Sequence, residues 1–312
     1  MKQIGYSKYG DAEQLKLINV PKPAITGKNQ LLVKVLYSSL NAIDWKNRKG
    51  EFRLVSGLFG PTTKQGFDVV GYIVDKSSDV KSYNINDKII GELGNLQGGA
   101  LSEFVILKPN QLTIAPNNIP DEQLGGLSMA GTTAWQAFFK NTKIKMGDKI
   151  LINGGSSGVG HLAIQIAKAY GAFVTSVSST KNLDFCKLLG ADKTIDYTQQ
   201  DFTMQTEKYD VIFDVVFNSS LKNVKKILKP NGVYIGTTPT VRLLYDAITG
   251  KQAKFVSVNP NSEALKDLVR LIENKQLYVH IDKIFGMEEI VEAHKYIEKS
   301  RTRGKLIIKI AD

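Results

Sequence analysis

The sequence predicts an α/β protein in two parts, a β-rich N-terminal segment followed by a doubly wound parallel sheet. Three observations predict it. Residues 1–117 read as short strands separated by Pro and Gly. From about Glu122 onward, short apolar runs alternate with segments of helical, 3.6-residue periodicity, which is the spacing of βαβ units. The stretch from Lys149 to Gly160 passes from an apolar run into four glycines within seven positions, and then into a helix.

Taken in order, strands are expected at 30–36, 69–75, 88–92 and 101–107, and a helix at 124–139. Strands at 149–152, 173–178, 193–196, 210–216 and 232–236 then alternate with helices at 158–169, 183–189 and 219–228. A strand at 254–258 and a helix at 262–273 continue the pattern, and a strand at 304–310 returns to the first part. The expected division is therefore 1–117, completed by about 285–312, and 118–284.

At 312 residues the chain is long enough for two domains, and 42% hydrophobic with 23% charged residues is ordinary for a globular protein. No apolar run approaches the ~18 residues of a membrane span. The N-terminus lacks the apolar core of a signal peptide and meets Asp11 and Glu13 early, so a cytoplasmic location is expected. A single cysteine, Cys186, excludes an internal disulfide and a Cys-rich zinc site. The net charge of +11 raises the question of a nucleic-acid partner. The densest cluster, Lys222, Lys225, Lys226 and Lys229, alternates with Leu221, Val224 and Leu228, which is the pattern of a solvated amphipathic face.

The helix after the glycines carries Val159, Leu162, Ala163, Ile166, Ala167 and Tyr170 on one apolar face. A strand, a glycine turn and a helix N-terminus form a phosphate cradle, because glycine admits a sharp turn and free N–H groups attract the anion. Gly154, Gly155, Ser156, Ser157, Gly158, Val159 and Gly160 are thus candidate dinucleotide contacts. The same turn fits G-x-S-x-G, the nucleophile elbow of a hydrolase, with Ser156 as nucleophile and Asp267 with His280 or His294 as partners.

Dinucleotide folds that bind NAD place an acid at the end of the second strand to accept from the ribose 2′-hydroxyl. Here that strand ends at Ser178 and is followed by Ser179, Thr180, Lys181 and Asn182, with no acid. Hydroxyls and a lysine suit the 2′-phosphate of NADPH. A charge-assisted hydrogen bond of about 1.5–3 kcal/mol from Lys181 gives roughly 10- to 150-fold preference over NADH. Tyr197, ending the next strand, is placed near the adenine or the same phosphate.

These residues sit among several spaced motifs. Ser38-Ser-Leu-Asn-Ala-Ile-Asp-Trp-Lys-Asn-Arg-Lys-Gly50, Gly66-Phe-Asp-Val-Val-Gly71, Gly98-Gly-Ala-Leu-Ser-Glu-Phe104 and Ala130-Gly-Thr-Thr-Ala-Trp-Gln-Ala137 precede the glycine turn. The set resembles the zinc-independent, quinone oxidoreductase (ζ-crystallin) group of the medium-chain dehydrogenase/reductase superfamily. Within that group it most resembles the enone and alkenal reductases related to chloroplast-envelope quinone oxidoreductases. Ser102 stands where the group usually has alanine, and Ser157 where a glycine is common; Ser157 is still expected to donate to a phosphate.

The resemblance implies a GroES-like β domain, a Rossmann domain, an active site in the cleft between them, and a homodimer formed through the Rossmann sheet. Zinc-dependent relatives carry Cys at the position of Asn41 and His at that of Phe67, so no metal is expected. Without a metal, the implied chemistry is hydride transfer to a conjugated C=C–C=O or a quinone of small hydrophobic character. Asn41, Asp44 and Lys46 become catalytic candidates: Asn41 as a polarising donor, Lys46 as a cation near the carbonyl oxygen, and Asp44 as a proton-transfer group or a partner of Arg48 or Lys46. Thr133, Val216 with its neighbours Phe217 and Asn218, and Arg303 resemble further cofactor contacts. The apolar loop 51–59, Trp135 and Tyr245 are candidates for a substrate wall or for core. Because members of the ζ-crystallin group bind RNA, a nucleotide-binding, RNA-associated or sensor protein on the same fold is the second expectation.

Overall fold

The computed structural model describes residues 1–62, 64–94, 98–238, 240–250 and 252–311, without the side chains of Leu54 and Val55. Two compact units emerge: Met1–Thr132 with Val258–Glu273 and Val279–Asp312, and Thr133–Ser257 with Asn274–Tyr278.

The first unit opens with β1 (Lys2–Gly5) and β2 (Lys16–Asn19), an antiparallel pair. β3 (Leu31–Leu40) follows, buried on both faces; its sequence, Leu-Leu-Val-Lys-Val-Leu-Tyr-Ser-Ser-Leu, is mostly apolar and its two buried serines are small. The helices α1 (Ala42–Lys49) and α2 (Arg53–Ser56) lead to β4 (Asp68–Lys76), β5 (Lys88–Glu92), β6 (Phe104–Leu107) and β7 (Leu112–Ile114). Val33, Val35, Val69, Ile73, Ile89, Val105 and Leu112 fill the core between these strands. The expected helix 124–139 is split into α3 (Asp121–Gly125), α4 (Ser128–Trp135) and a π-helical turn, Gln136–Lys140. The break falls at Gly125-Gly126, where a Cβ on Gly126 would meet Val279 at 2.9 Å.

In the second unit, β8 (Lys149–Asn153), α5 (Gly160–Ala169), β9 (Phe173–Ser178), α6 (Leu183–Leu188), β10 (Lys193–Asp196), β11 (Tyr209–Asp214), α7 (Leu221–Val224), β12 (Leu228–Gly236), α8 (Val241–Ile248) and β13 (Ala253–Phe255) alternate. The strands form one parallel sheet in the order β10-β9-β8-β11-β12-β13. This is the doubly wound Rossmann order, whose direction of winding reverses between β8 and β11. Helix α7 is shorter than expected because Leu228 is captured by the sheet, opposite Tyr209. Leu221, Val224 and Ile227 are buried while Lys222, Lys225 and Lys226 stay exposed, so this lysine cluster is a solvated face.

The chain returns to the first unit with α9 (Ser262–Glu273), β14 (Ile281–Gly286), α10 (Ile290–Glu298) and β15 (Lys305–Lys309). Its larger sheet runs β14-β15-β3-β4-β5-β7, with β6 also on β3. Helix α9 buries Ala264, Leu265, Leu268, Leu271 and Ile272 and packs on β5 and β7, although the sequence pattern continues the second sheet's alternation. Periodicity shows that a helix buries a face, not which sheet receives it. Among the described residues no helix is long and apolar enough to cross a membrane.

Candidate functional site

The turn after β8 stands at the carboxyl end of the strand beside the switch point, where doubly wound sheets bind ligands. Three of its glycines are required by packing. Gly154 has φ +92°, and a Cβ there would lie 2.5 Å from Val216. A Cβ on Gly155 would meet Ser176 Oγ at 1.9 Å, and one on Gly160 the Gly154 carbonyl oxygen at 2.1 Å. Ser157 differs from the expected role. Its hydroxyl donates to Gly154 O at 2.7 Å and accepts from Gly160 N at 3.1 Å, so it closes the turn and is not left for a phosphate. Ser156 Oγ accepts from Ser178 Oγ at 2.9 Å and Asn182 Nδ2 at 3.0 Å, which leaves its own proton to donate. Among the described residues the N–H groups of Ser156, Gly158 and Val159 have no acceptor, at the N-terminus of a ten-residue helix. Such a set of donors fits the pyrophosphate of a dinucleotide.

At the far end of β9, Ser178 lies opposite Asp196 in register, and Tyr197 N donates to Ser178 O at 3.1 Å. Ser178 and Tyr197 thus meet at the carboxyl ends of β9 and β10, and the exposed Lys181 follows Ser178 by three residues in the turn after β9. An acid is present here after all, but it is occupied. Asp196 accepts from Thr180 Oγ1 at 2.5 Å, Thr198 N at 2.9 Å and Thr198 Oγ1 at 2.7 Å. These bonds, Thr180's foremost, hold its carboxyl below the usual range.

Where β11 ends, the buried Asp214 accepts from Asn153 Nδ2 at 2.8 Å, Phe217 N at 2.8 Å, Ser219 N at 3.1 Å and Tyr234 OH at 2.9 Å. Asn153 also donates to Asn218 Oδ1 at 2.6 Å. The clamp shapes the segment carrying Val216 and forces Phe217 to a left-handed φ of 52°. Burial raises the Asp214 pKa, against the pull of these donors. Thr133 is buried at the start of the second unit, whereas Arg303 belongs to the first, where its charge faces His280.

In the first unit, β3 delivers the chain to Asn41, the N-cap of α1. Asn41 Nδ2 donates to Asp68 Oδ2 at 2.7 Å, and Lys305 Nζ donates to Asn41 Oδ1 at 2.6 Å. Asp68 also takes Ser39 Oγ at 2.6 Å and Met129 N at 2.7 Å, with Lys305 Nζ 3.9 Å away. Lys305 is 2% exposed and Asp68 0%. Burial lowers the Lys305 pKa, while Asp68 and Asp44 raise it. Across the strand pair from Asp68, Glu92 is buried, and desolvation followed by the Asp68 charge raises its pKa well above the carboxylate range.

Asp44 pairs with neither Arg48 nor Lys46. Its Oδ2 accepts from Asn41 N at 2.8 Å and its Oδ1 from Gly66 N at 2.7 Å. Desolvation pushes its pKa up to about 7, against those two N–H donors. Arg48 instead donates to Gly10 O and to His294 Nδ1 and pairs with Glu298. Lys46 lies partly exposed with its Nζ 5.6 Å from the Trp45 ring, so the buried cation at Asn41 is Lys305. Loop 51–59 contains α2, tied down by Tyr9 OH, which donates to Gly57 O at 2.6 Å; the Leu54 and Val55 side chains lie outside the described residues. Trp135 packs on Phe139, centroids 5.2 Å apart, in a row continued by Tyr170, while Tyr245 on α8 is half exposed.

Sequence reading missed Asp68, Glu92, Asp214 and Lys305. The acids left a signal, each ending or opening an apolar strand, where a charge is buried. Among the described residues the hydrolase alternative finds no relay: the Ser156 hydroxyl meets Ser178 and Asn182, Asp267 pairs with Arg270, His294 is buried beside Arg48, and the charges acting on His280 are those of Arg303 and Asp282.

Residues 27–117 match the family model described as alcohol dehydrogenase GroES-like domain, and 189–308 that described as zinc-binding dehydrogenase. A 2-methylene-furan-3-one reductase of Solanum lycopersicum is 34% identical over 99% of this chain and 79% of its own length. A chloroplastic NADPH-dependent alkenal/one oxidoreductase of Arabidopsis thaliana is 33% identical, with the same coverage of 99% and 79%. The solved quinone oxidoreductase from Coxiella burnetii superposes with a TM-score of 0.91 at 33% identity, covering 100% of this chain and 99% of that one. The chain belongs to the quinone oxidoreductase and enone reductase group of the medium-chain dehydrogenase/reductase superfamily, an oxidoreductase family that uses a nicotinamide cofactor.

Proposed function

We propose that the protein is an NADPH-dependent reductase of α,β-unsaturated carbonyls or quinones that works without zinc. One observation carries this reading: a neutral amide, Asn41, is held between Asp68 and Lys305 where zinc-dependent relatives place a thiolate. An ammonium bonded at 2.6 Å to the amide oxygen, with a buried phenyl, Phe67, at the position of a second metal ligand, offers nothing to hold a divalent cation. A conjugated carbonyl needs less help than a ketone, since negative charge spreads onto oxygen as an enolate. NADPH, when bound, supplies a hydride to the β-carbon. The Asn41 amide N–H meets the charge developing on oxygen, and solvent water supplies the proton to the α-carbon. Ser156 and the Gly158 and Val159 amides hold the pyrophosphate, while Ser178, Lys181 and Tyr197 receive the 2′-phosphate, with Asp196 kept from repelling it by Thr180 and Thr198.

NADPH oxidation with a panel of enones, enals and naphthoquinones tests the reading, and silence with all of them refutes it. Activity that survives chelation, in protein free of zinc by elemental analysis, is the expected metal result. Lys181→Ala is expected to raise the KM for NADPH about 10- to 150-fold with little change for NADH; equal effects would remove Lys181 from the 2′-phosphate. A cytoplasmic homodimer belongs to the same proposal, checked by cell fractionation and sedimentation.

A further inference from the structure

We propose that Lys305 is a positioning residue that fixes which end of the Asn41 amide meets the substrate carbonyl. The inference rests on the reductase reading above and adds a residue to it. An amide's oxygen and nitrogen are nearly the same size, so only the neighbours decide its orientation. Lys305 can only donate, so the atom 2.6 Å from its Nζ is Oδ1. An ionised Asp68 can only accept, so the atom 2.7 Å from its Oδ2 is Nδ2. Turning the amide over would set NH2 against an ammonium and oxygen against a carboxylate, both shut away from water. The backbone is pinned as well, since Asn41 N donates to Asp44 Oδ2 at 2.8 Å.

Fixed this way, Asn41 has one unused donor among the described residues, the second hydrogen on Nδ2. That is the group an enolate oxygen requires. Without the ammonium, one side of the lock disappears, and orientations that present oxygen, which repels an enolate, become accessible. Lys305 is 2% exposed and spends its ammonium on Asn41 Oδ1, Leu40 O and the Asp68 pair. It acts through Asn41.

A double-mutant cycle decides between this role and a merely structural one. Lys305→Met is expected to lower kcat for an enone by about 10- to 100-fold while the KM for NADPH stays within about twofold. In an Asn41→Ala background the same substitution is expected to lower kcat by less than about twofold, because the group it orients is gone. Losses that multiply across the two backgrounds would overturn the proposal. Lys305→Arg keeps the cation and guards against misfolding of the Met variant; it is expected to recover most of the activity, and an Arg variant as slow as Met would count against the orienting charge. A readout independent of turnover comes from 15N-asparagine labelling. The two Asn41 Nδ2 protons should be widely separated in shift in the wild type and collapse together in Lys305→Met, and an unchanged pair would overturn the lock. If the wild type reduces none of the acceptors, the reductase reading fails while the labelling result still decides the amide's orientation.

Discussion

Asp214→Asn tests the clamp that shapes the cofactor side of the second unit. The carboxylate accepts four hydrogen bonds, two on each oxygen, at 2.8–3.1 Å. An asparagine keeps one accepting oxygen and turns the other position into a donor that faces two donors. Charge-assisted hydrogen bonds contribute about 1.5–3 kcal/mol each and neutral ones about 1, so two lost and two weakened bonds cost roughly 4–10 kcal/mol. Burial already raises this carboxyl's pKa, and a neutral amide relieves that desolvation. The net expectation is a loss of about 2–4 kcal/mol, or roughly 8–15 °C in the melting of a unit this size.

The loss should also reach the cofactor. Phe217 N bonds Asp214 Oδ1 and holds a left-handed φ of 52°, a conformation that costs a non-glycine residue about 1–2 kcal/mol and relaxes once the bond is gone. Scanning calorimetry with NADPH titration measures both effects. Tyr234→Phe provides the scale, since it removes one of the four donors and leaves the carboxylate, at an expected cost of about 1.5–3 kcal/mol. A variant Asp214→Asn as stable as the wild type, or more stable than Tyr234→Phe, would refute the reasoning.

Gly155→Ala should weaken NADPH binding by about 1–3 kcal/mol through its collision with Ser176 Oγ. Adding Ser176→Gly should restore much of it, whereas Gly160→Ala, which strikes the Gly154 backbone oxygen, should resist any side-chain rescue; failure of the first rescue in a cofactor titration removes the steric account. His294 should make the fold acid-sensitive: burial, then the Arg48 charge, lowers its pKa from 6.5 to about 3, so the folded state stays neutral while the unfolded chain gains a proton below 6.5. Stability therefore falls as pH drops through that window, by about 2 kcal/mol between pH 7 and pH 5 from this group alone. In His294→Gln, which can still accept from Arg48, urea unfolding at the two pH values should show that increment gone, and an unchanged pH loss would contradict the assignment.

The centre of the second sheet was legible in the sequence because buried parallel strands are apolar runs between breakers, as Ile150–Ile152 in β8 and Val211–Phe213 in β11; 173–178 and 193–196, which carry Thr and Ser or Lys and Asp, were legible from the βαβ spacing and coincide with β9 and β10. The glycine turn was legible for a related reason, since whether a Cβ fits is decided within a few residues. The division of labour between its serines was not. Both Ser156 and Ser157 read as phosphate donors, and only the closed turn shows Ser157 Oγ bonded to Gly154 O and Gly160 N. Lys305 lies furthest from what a sequence can show. It opens an apolar strand after Arg301 and Arg303 and reads as one more surface cation in a chain of net charge +11. Its partner Asn41 is 264 residues away, and no local pattern encodes a bond across that separation. Proximity in sequence pointed to Lys46, five positions from Asn41. Strand register chose otherwise. Because Leu306 of β15 pairs with Leu40 of β3, the next position on each strand brings Lys305 beside Asn41. A slip of one residue would turn that ammonium to the opposite face of the sheet and leave the Asn41 amide free to flip.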